Sequence, residues 1–284
     1  MVGSIERIAQ EIAVLEQAVT ELAAEFHSSY ATYLTGLGQS VRQQLILASY
    51  YVCTQGYPTS FLELPFGQRQ QLQQMLKALA QQVQEELLAQ LHMPVVVEDP
   101  EVEELLALAP ALSSESVAEP AAKRSTRPLL PLDLARWQQD LEQAIVQELR
   151  TASHAANRLL QQAGVMPHKV PEPILEAATQ AEMAEFGGGD TPNLLNVLIE
   201  ANGETGDNQE KSEEAPDHTV MHIVAIHLRL AEIEFADPPL TAARTQIRAL
   251  SGRLKVLGRD YRKKQRDRAI AEAQAAWRTS WTDD

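Results

Sequence analysis

The chain has 284 residues, one cysteine and a formal net charge of −15, from 24 basic and 39 acidic side chains. That length is enough for one large domain or two modest ones, each with its own core. A lone cysteine, Cys53, rules out an internal disulfide and points to a reducing compartment, and the acid excess repels phosphate and anionic lipid except where a local basic patch intervenes.

Met1 to Arg7 has no basic leader, and the longest strongly apolar stretch, Leu45 to Cys53, is far short of the roughly 20 residues of a membrane span. The expectation is a cytoplasmic protein with no transmembrane segment. Ser4 reads as a helix cap. After it Ile5, Ile8, Ile12, Leu15, Val19, Leu22 and Phe26 recur at alternating spacings of three and four, a heptad seam. The pattern continues through Tyr30, Tyr33, Leu37, Val41, Leu45, Ala48 and Val52, with Gly36 and Gly38 marking an expected kink or break. Cys53, within this run, reads as a small buried hydrophobe.

Gly56, Tyr57 and Pro58 end that helix, and Thr59 to Gly67 reads as a helical turn and loop. Leu72, Leu76, Leu79, Val83, Leu87 and Leu91 then mark a third amphipathic helix. Residues 1–93 are thus expected to form a helical, partly coiled-coil segment. Residues 94–131 carry repeated prolines and a run of acids without a base until Lys123, which predicts a disordered acidic linker. Val102 to Leu108 is its apolar island, either incidental leucines or a short docking helix.

Residues 132–200 read as central helices. Asp133 caps a helix lined by Leu134, Trp137, Leu141, Ile145, Leu149, Ala152, Ala156, Leu159 and Ala163 and stopped by Gly164. An Ala-rich helix over Ile174 to Phe186 and a Gly187 to Gly189 stop follow. Leu194 to Ile199, which includes Leu194, Leu195 and Leu198, reads as a short apolar helix, a lid on the core or a docking motif. Residues 201–217 form a flexible acidic stretch. Within residues 218–284, His218 to Phe235 shows two adjacent seams and predicts a helix buried on several sides, ahead of a long heptad helix.

That last helix starts at Asp237, Pro238 and Pro239, and its seam runs through Leu240, Ala243, Ile247, Leu250, Leu254, Leu257 and Tyr261. Its second half turns basic: Arg253 to Arg268 holds eight cations against two acids. Arg259, Arg262, Lys263, Lys264 and Arg266 are candidate contacts to phosphates. The alternative is that the charges flank the seam and pair with the Glu-rich first helix or the acidic linkers. Trp277 and Trp281 close the helix, packing its end or entering a partner's groove.

No strand signal stands out, so the expected fold is all-α, a long-helix bundle with coiled-coil heptad segments and disordered acidic linkers. The N-terminal and C-terminal seams invite pairing with each other. His218 and His222 sit at metal-ligand spacing for a helix, but the Glu of a metalloprotease motif is missing, and the stripe reads as an ordinary wet face. The Gly187 run lacks the Lys and Ser or Thr of a phosphate loop. No catalytic, cofactor or metal site is expected.

The stretches YLTGLGQSVRQQLILASYYVCTQGYPTSFLELPFGQRQQLQQ from Tyr33 to Gln74, and LAEIEFADPP with RDYRKKQRDRAIAEAQAAWRTSW within Ile226 to Trp281, resemble a family of uncharacterised helical proteins of cyanobacteria. The resemblance covers about a third of the chain. It implies a bacterial cytosol or a thylakoid surface and no particular activity. The expected function is a non-enzymatic adaptor or scaffold binding another protein, with self-association as one form of it. Nucleic-acid binding through the basic helix is the alternative.

Overall fold

The structure is a computed structural model that describes residues 2–94, 127–167, 192–201 and 219–280. Most of the expected linker, with Val102 to Leu108, falls outside these residues, as do the Ile174 to Phe186 helix, the Gly187 stop and nearly all of the acidic stretch before Thr219. The described residues form α1 (Val2–Tyr51), which passes into a π-helical turn at Val52–Gly56, then α2 (Pro58–Glu63), α3 (Phe66–Ala89) and α4 (Pro131–Gln162). A hairpin of β1 (Leu194–Ala201) and β2 (Thr219–Ile226) follows, then α5 (Leu230–Ala236) and α6 (Pro238–Thr279). The fold is all-α apart from this hairpin, and no helix among the described residues is long and apolar enough to cross a membrane.

Three expectations are corrected. Leu194 to Ile199 is not a short helix but most of β1, paired antiparallel with β2 from Leu194↔Ile226 to Ala201↔Thr219. The helix expected from His218 to Phe235 is a strand, Thr219–Ile226, followed by a short helix, Leu230–Ala236. The physical reason lies in composition: five of the eight β2 residues are β-branched, and Ile223 to Ile226, buried on both faces of the strand, make a continuous apolar run that also fits helical spacing. Third, α1 is unbroken at Gly36 and Gly38. A Cβ on Gly38 would lie 2.7 Å from Gln84 Cγ and 3.3 Å from its Cα, so this glycine lets α3 approach α1 closely.

The chain divides into two compact units, one made of Met1–Thr32, Leu91–Gln143 and Ala243–Asp284, the other of Tyr33–Gln90 and Ala144–Ala242. In the first, Ile12, Val19, Leu22, Phe26, Leu134, Leu141, Ile247, Leu250 and Leu254 are buried. Glu25, Glu16 and Glu11 of α1 meet Arg253, Tyr261 and Lys264 of α6 in that order, so the two seams pair antiparallel. Helix α4 is also antiparallel to α6, through Glu142 with Arg244 and Gln138 with Ser251. Trp137 stands edge-on to Phe26 and Tyr30, at 6.4 and 5.7 Å between ring centroids, and its Nε1 donates to the His92 carbonyl at 2.8 Å. At the start of α4, Asp133 accepts the Leu130 N–H at 2.9 Å and a two-pronged bond from Arg127, which satisfies its buried carboxylate.

In the second unit Tyr33, Leu34, Leu37, Val41 and Leu45 of α1 are fully buried, as are Leu87 of α3 and Ile145, Ala156 and Leu160 of α4. Gly164, at φ 79°, ends α4 in the left-handed conformation expected of a glycine cap. The hairpin is held by helix side chains. Asn157 accepts the Ile226 N–H at 2.8 Å and donates to the Ile226 carbonyl at 2.9 Å, which treats β2 as a neighbouring strand would. Tyr57 Oη accepts the Val224 N–H at 3.0 Å, and Ser153 Oγ accepts the Leu228 N–H at 2.9 Å. Asn193, at φ 58° and buried, joins the hairpin to the helices: its side chain accepts the Arg229 N–H and donates to Gln44.

Candidate interaction surface

Helix α6 sorts its residues by angle. Advancing about 100° per residue, Leu240, Ile247, Leu250 and Leu254 face the interior and are buried. Arg244, Arg253 and Lys264 flank that seam and pair with Glu142, Glu25 and Glu11. The pairing with Lys264 holds the Glu11 carboxyl below its usual range, and Arg253 does the same to Glu25. These cations therefore stabilise the helix packing, as the structural alternative predicts for the Glu-rich first helix.

Five further cations form a strip that passes through the bearing of Arg244, from which they differ in having no partner on α1 or α4 among the described residues. Arg248, Lys255, Arg259, Arg262 and Arg266 follow one another at spacings of seven, four, three and four, and all are exposed. At helical pitch they fall within an arc of about 60° and a length of about 27 Å. Lys263 borders the arc, also exposed. The acids of this half of the helix, Asp260, Asp267 and Glu272, lie off it. Among the described residues, Arg248, Lys255, Arg262, Lys263 and Arg266 have no carboxylate partner, and Arg259 has only its chain neighbour Asp260, at 4.0 Å. The same arc continues into an apolar end, where Ile270 is 47% and Trp277 65% exposed. A strip that joins unneutralised cations to exposed apolar side chains suits an anionic partner with an apolar face.

The candidate residues thus separate. Arg259, Arg262, Lys263 and Arg266 share the exposed strip with Trp277, whereas Lys264 belongs to the packing with α1. Trp281 lies outside the described residues. Leu194 and Leu195 are buried in the hairpin, and Leu198 sits further along β1. Sequence reasoning missed Arg248 and underused Lys255; the signal was their seven-residue spacing, in phase with Arg259 and Arg262.

Two other places bear on chemistry. A pocket of about 370 Å³ is lined by Ile46, Tyr50, Cys53, Phe61, Leu72 and Leu76 beside the π-helical turn, where π-bulges often mark function. The Ser49 and Thr54 hydroxyls at its wall donate to the Leu45 and Tyr50 carbonyls at 2.7 and 2.8 Å. Burial pushes the Cys53 thiol up to about 11, so it stays protonated at neutral pH. The histidine pattern does not form: His222 is exposed on a strand, His218 is outside the described residues, and burial followed by the charge of Arg229 holds His227 down at about 4. Among the described residues no three His, Cys, Asp or Glu side chains gather as metal ligands do. Compared with known proteins, the chain matches no protein family model, no curated protein and no solved structure.

Proposed function

We propose that the protein is a non-enzymatic helical adaptor of the cytoplasm that holds an acidic partner protein along the outward strip of α6. The observation that carries this reading is the fusion, on one arc, of Lys255, Arg259, Arg262 and Arg266 with exposed Ile270 and Trp277. A partner helix with carboxylates at one end of its face and an apolar anchor at the other matches both halves of the strip. The first half of the strip also supports nucleic-acid binding, because cations without carboxylates along about 27 Å offer a run of contacts to a phosphate backbone.

The test uses the tagged full chain and two variants, recovered from native lysate with and without nuclease. One variant replaces Lys255, Arg259, Arg262 and Arg266 with Gln, the other replaces Ile270 and Trp277 with Ala. Protein partners that survive nuclease and are lost from both variants support the adaptor. Partners that vanish with nuclease and depend on the cations alone move the assignment to nucleic acid. In that case the slope of log affinity against log salt falls by about 0.7 to 0.9 per cation removed. A partner set unchanged in both variants sinks both readings.

A further inference from the structure

The groove between α1 and α3 is apolar at one end and cationic toward the other. Its deep end is the pocket of about 370 Å³ beside the π-helical turn, a volume at the low end of small-molecule sites, which run from about 300 to 1,000 Å³. The π turn helps to shape it. Tyr57 donates its N–H to the Val52 carbonyl at 2.8 Å, a wider closure than that of an α-helical turn, and Cys53 and Thr54 within the turn form part of the wall. Phe61 of α2 and Leu72 and Leu76 of α3 add apolar lining. Ser49 and Thr54 spend their hydroxyl protons on carbonyls of their own helix, so neither offers a donor to a ligand. Ile46 and Tyr50, 36% and 58% exposed, stand at the lip.

From Ile46 the groove continues into an open hollow lined by Gln39, Arg42, Gln43 and Gln84, and it closes there because Gly38 brings α1 against Gln84. Arg42 precedes Ile46 by one helical turn, and on the facing helix Lys77 follows Gln73 by one turn, at the wall of the pocket. Both cations are exposed, and among the described residues neither has a carboxylate partner. No Asp or Glu lines either part of the groove, in a chain with 39 acidic residues. All of these residues lie in the second compact unit. We infer that this groove binds a single-chain amphiphile with an anionic head, its alkyl tail in the apolar pocket and its head at Lys77 and Arg42. The lining selects this ligand on two counts. An alkyl tail gains by leaving water and brings no polar group to satisfy, whereas a peptide would bury main-chain donors and acceptors against an apolar wall. A single anion gains from two unneutralised cations and meets no carboxylate in the lining to repel it. From Arg42 to Cys53 the helix rises about 16 Å, similar to the length of an extended dodecyl chain.

The experiment is calorimetric titration of the full chain with dodecanoate, dodecyl phosphate and dodecanol, each below the concentration at which it aggregates. The expected result is one site per chain for the two anions, with dodecanol bound at least about tenfold more weakly. The anion that binds tighter then identifies the head as carboxylate or phosphate. A double variant, Arg42→Glu with Lys77→Glu, alters only exposed positions; it should weaken both anions by about tenfold and leave dodecanol unchanged. Cys53→Phe fills the deep end and should abolish binding of all three, and the charge variant carries the test if that one fails to fold. A wild-type chain that takes up neither anion overturns the inference. So does dodecanol bound as tightly as dodecanoate, or an anion affinity that either folded variant leaves unchanged.

Discussion

At Asn157 one amide side chain stands in for a third strand, meeting both main-chain groups of Ile226 with its own donor and acceptor. Asn157→Leu fills the space but leaves a buried N–H and C=O without partners, each costing about 1 to 3 kcal/mol. A loss of about 2 to 4 kcal/mol in urea unfolding is therefore expected, and a loss below 1 would mean the hairpin finds other partners. Two titrating groups, Glu148 and His227, tilt stability with pH in opposite directions. Burial, and then the Glu86 carboxylate beside it, raise Glu148 to about 7, with one of its oxygens buried and unbonded. Its folded pKa lies above the unfolded value of 4.5, so its contribution is full below that value and is lost as pH rises through about 7. His227 has the opposite sign: its folded pKa is about 4 against 6.5, so stability is lost as pH falls from 6.5 toward 4. Glu148→Gln should raise the urea midpoint at pH 8 and leave it unchanged at pH 4. Because much of Glu148 meets solvent, screening reduces the gain to about 1 kcal/mol. His227→Gln should flatten the acid limb instead, and a substitution that moved both limbs alike would contradict this assignment.

Among the elements, the long helices were legible in the sequence because each carries a single seam of period near 3.6, and the seam residues Val19, Phe26, Leu72, Ile145 and Ile247 are all buried. The hairpin was hidden. Its strands are about the length of a short buried helix, and much of what supports β2 and the residues just after it comes from Tyr57, Asn157 and Ser153, far away in sequence. Such support leaves no periodic trace. The exposed strip was half legible for a related reason: a count of charges along Arg253 to Arg268 cannot separate Lys264, held by Glu11, from Arg262 and Arg266 on the open side. Glycines show the same limit. Gly38 and Gly252 both sit inside helices, but an added Cβ would meet Gln84 at 2.7 Å at the first and nothing within 4 Å at the second. Gly252→Ala should stabilise the protein by up to about 1 kcal/mol through helix propensity, whereas Gly38→Ala should destabilise it by about 1 to 3 kcal/mol through overpacking. Paired thermal melts of the two variants would check both signs at once.

For the molecule as a whole, the acid excess and the location of its cations belong together. Replacing four strip cations with Gln takes the formal charge from −15 to −19 without touching an ion pair between helices. Folding stability should therefore change little in that variant while binding changes much, the separation that the lysate experiment needs. Truncation draws a similar boundary. Residues 272–280 are exposed on every side of α6, so a chain ending at Ala271 should melt within about 2 °C of the full chain, in keeping with small surface effects. A chain ending at Ala242 lacks the helix that lies along α1 and α4 in the first unit, and that unit should fail to fold, seen as a large loss of helical circular dichroism.

The antiparallel pairing of α1 with α6 also has a consequence in time. Glu11 and Lys264, which bond to each other, are 253 residues apart in the chain. At roughly 5 to 20 residues per second on the ribosome, about ten to fifty seconds pass between the emergence of one and the synthesis of the other. Through that interval the apolar stripe around Ile12, Val19 and Leu22 has no α6 to cover it. The nascent chain should therefore engage general chaperones through its first helix, and release from them should await the last one.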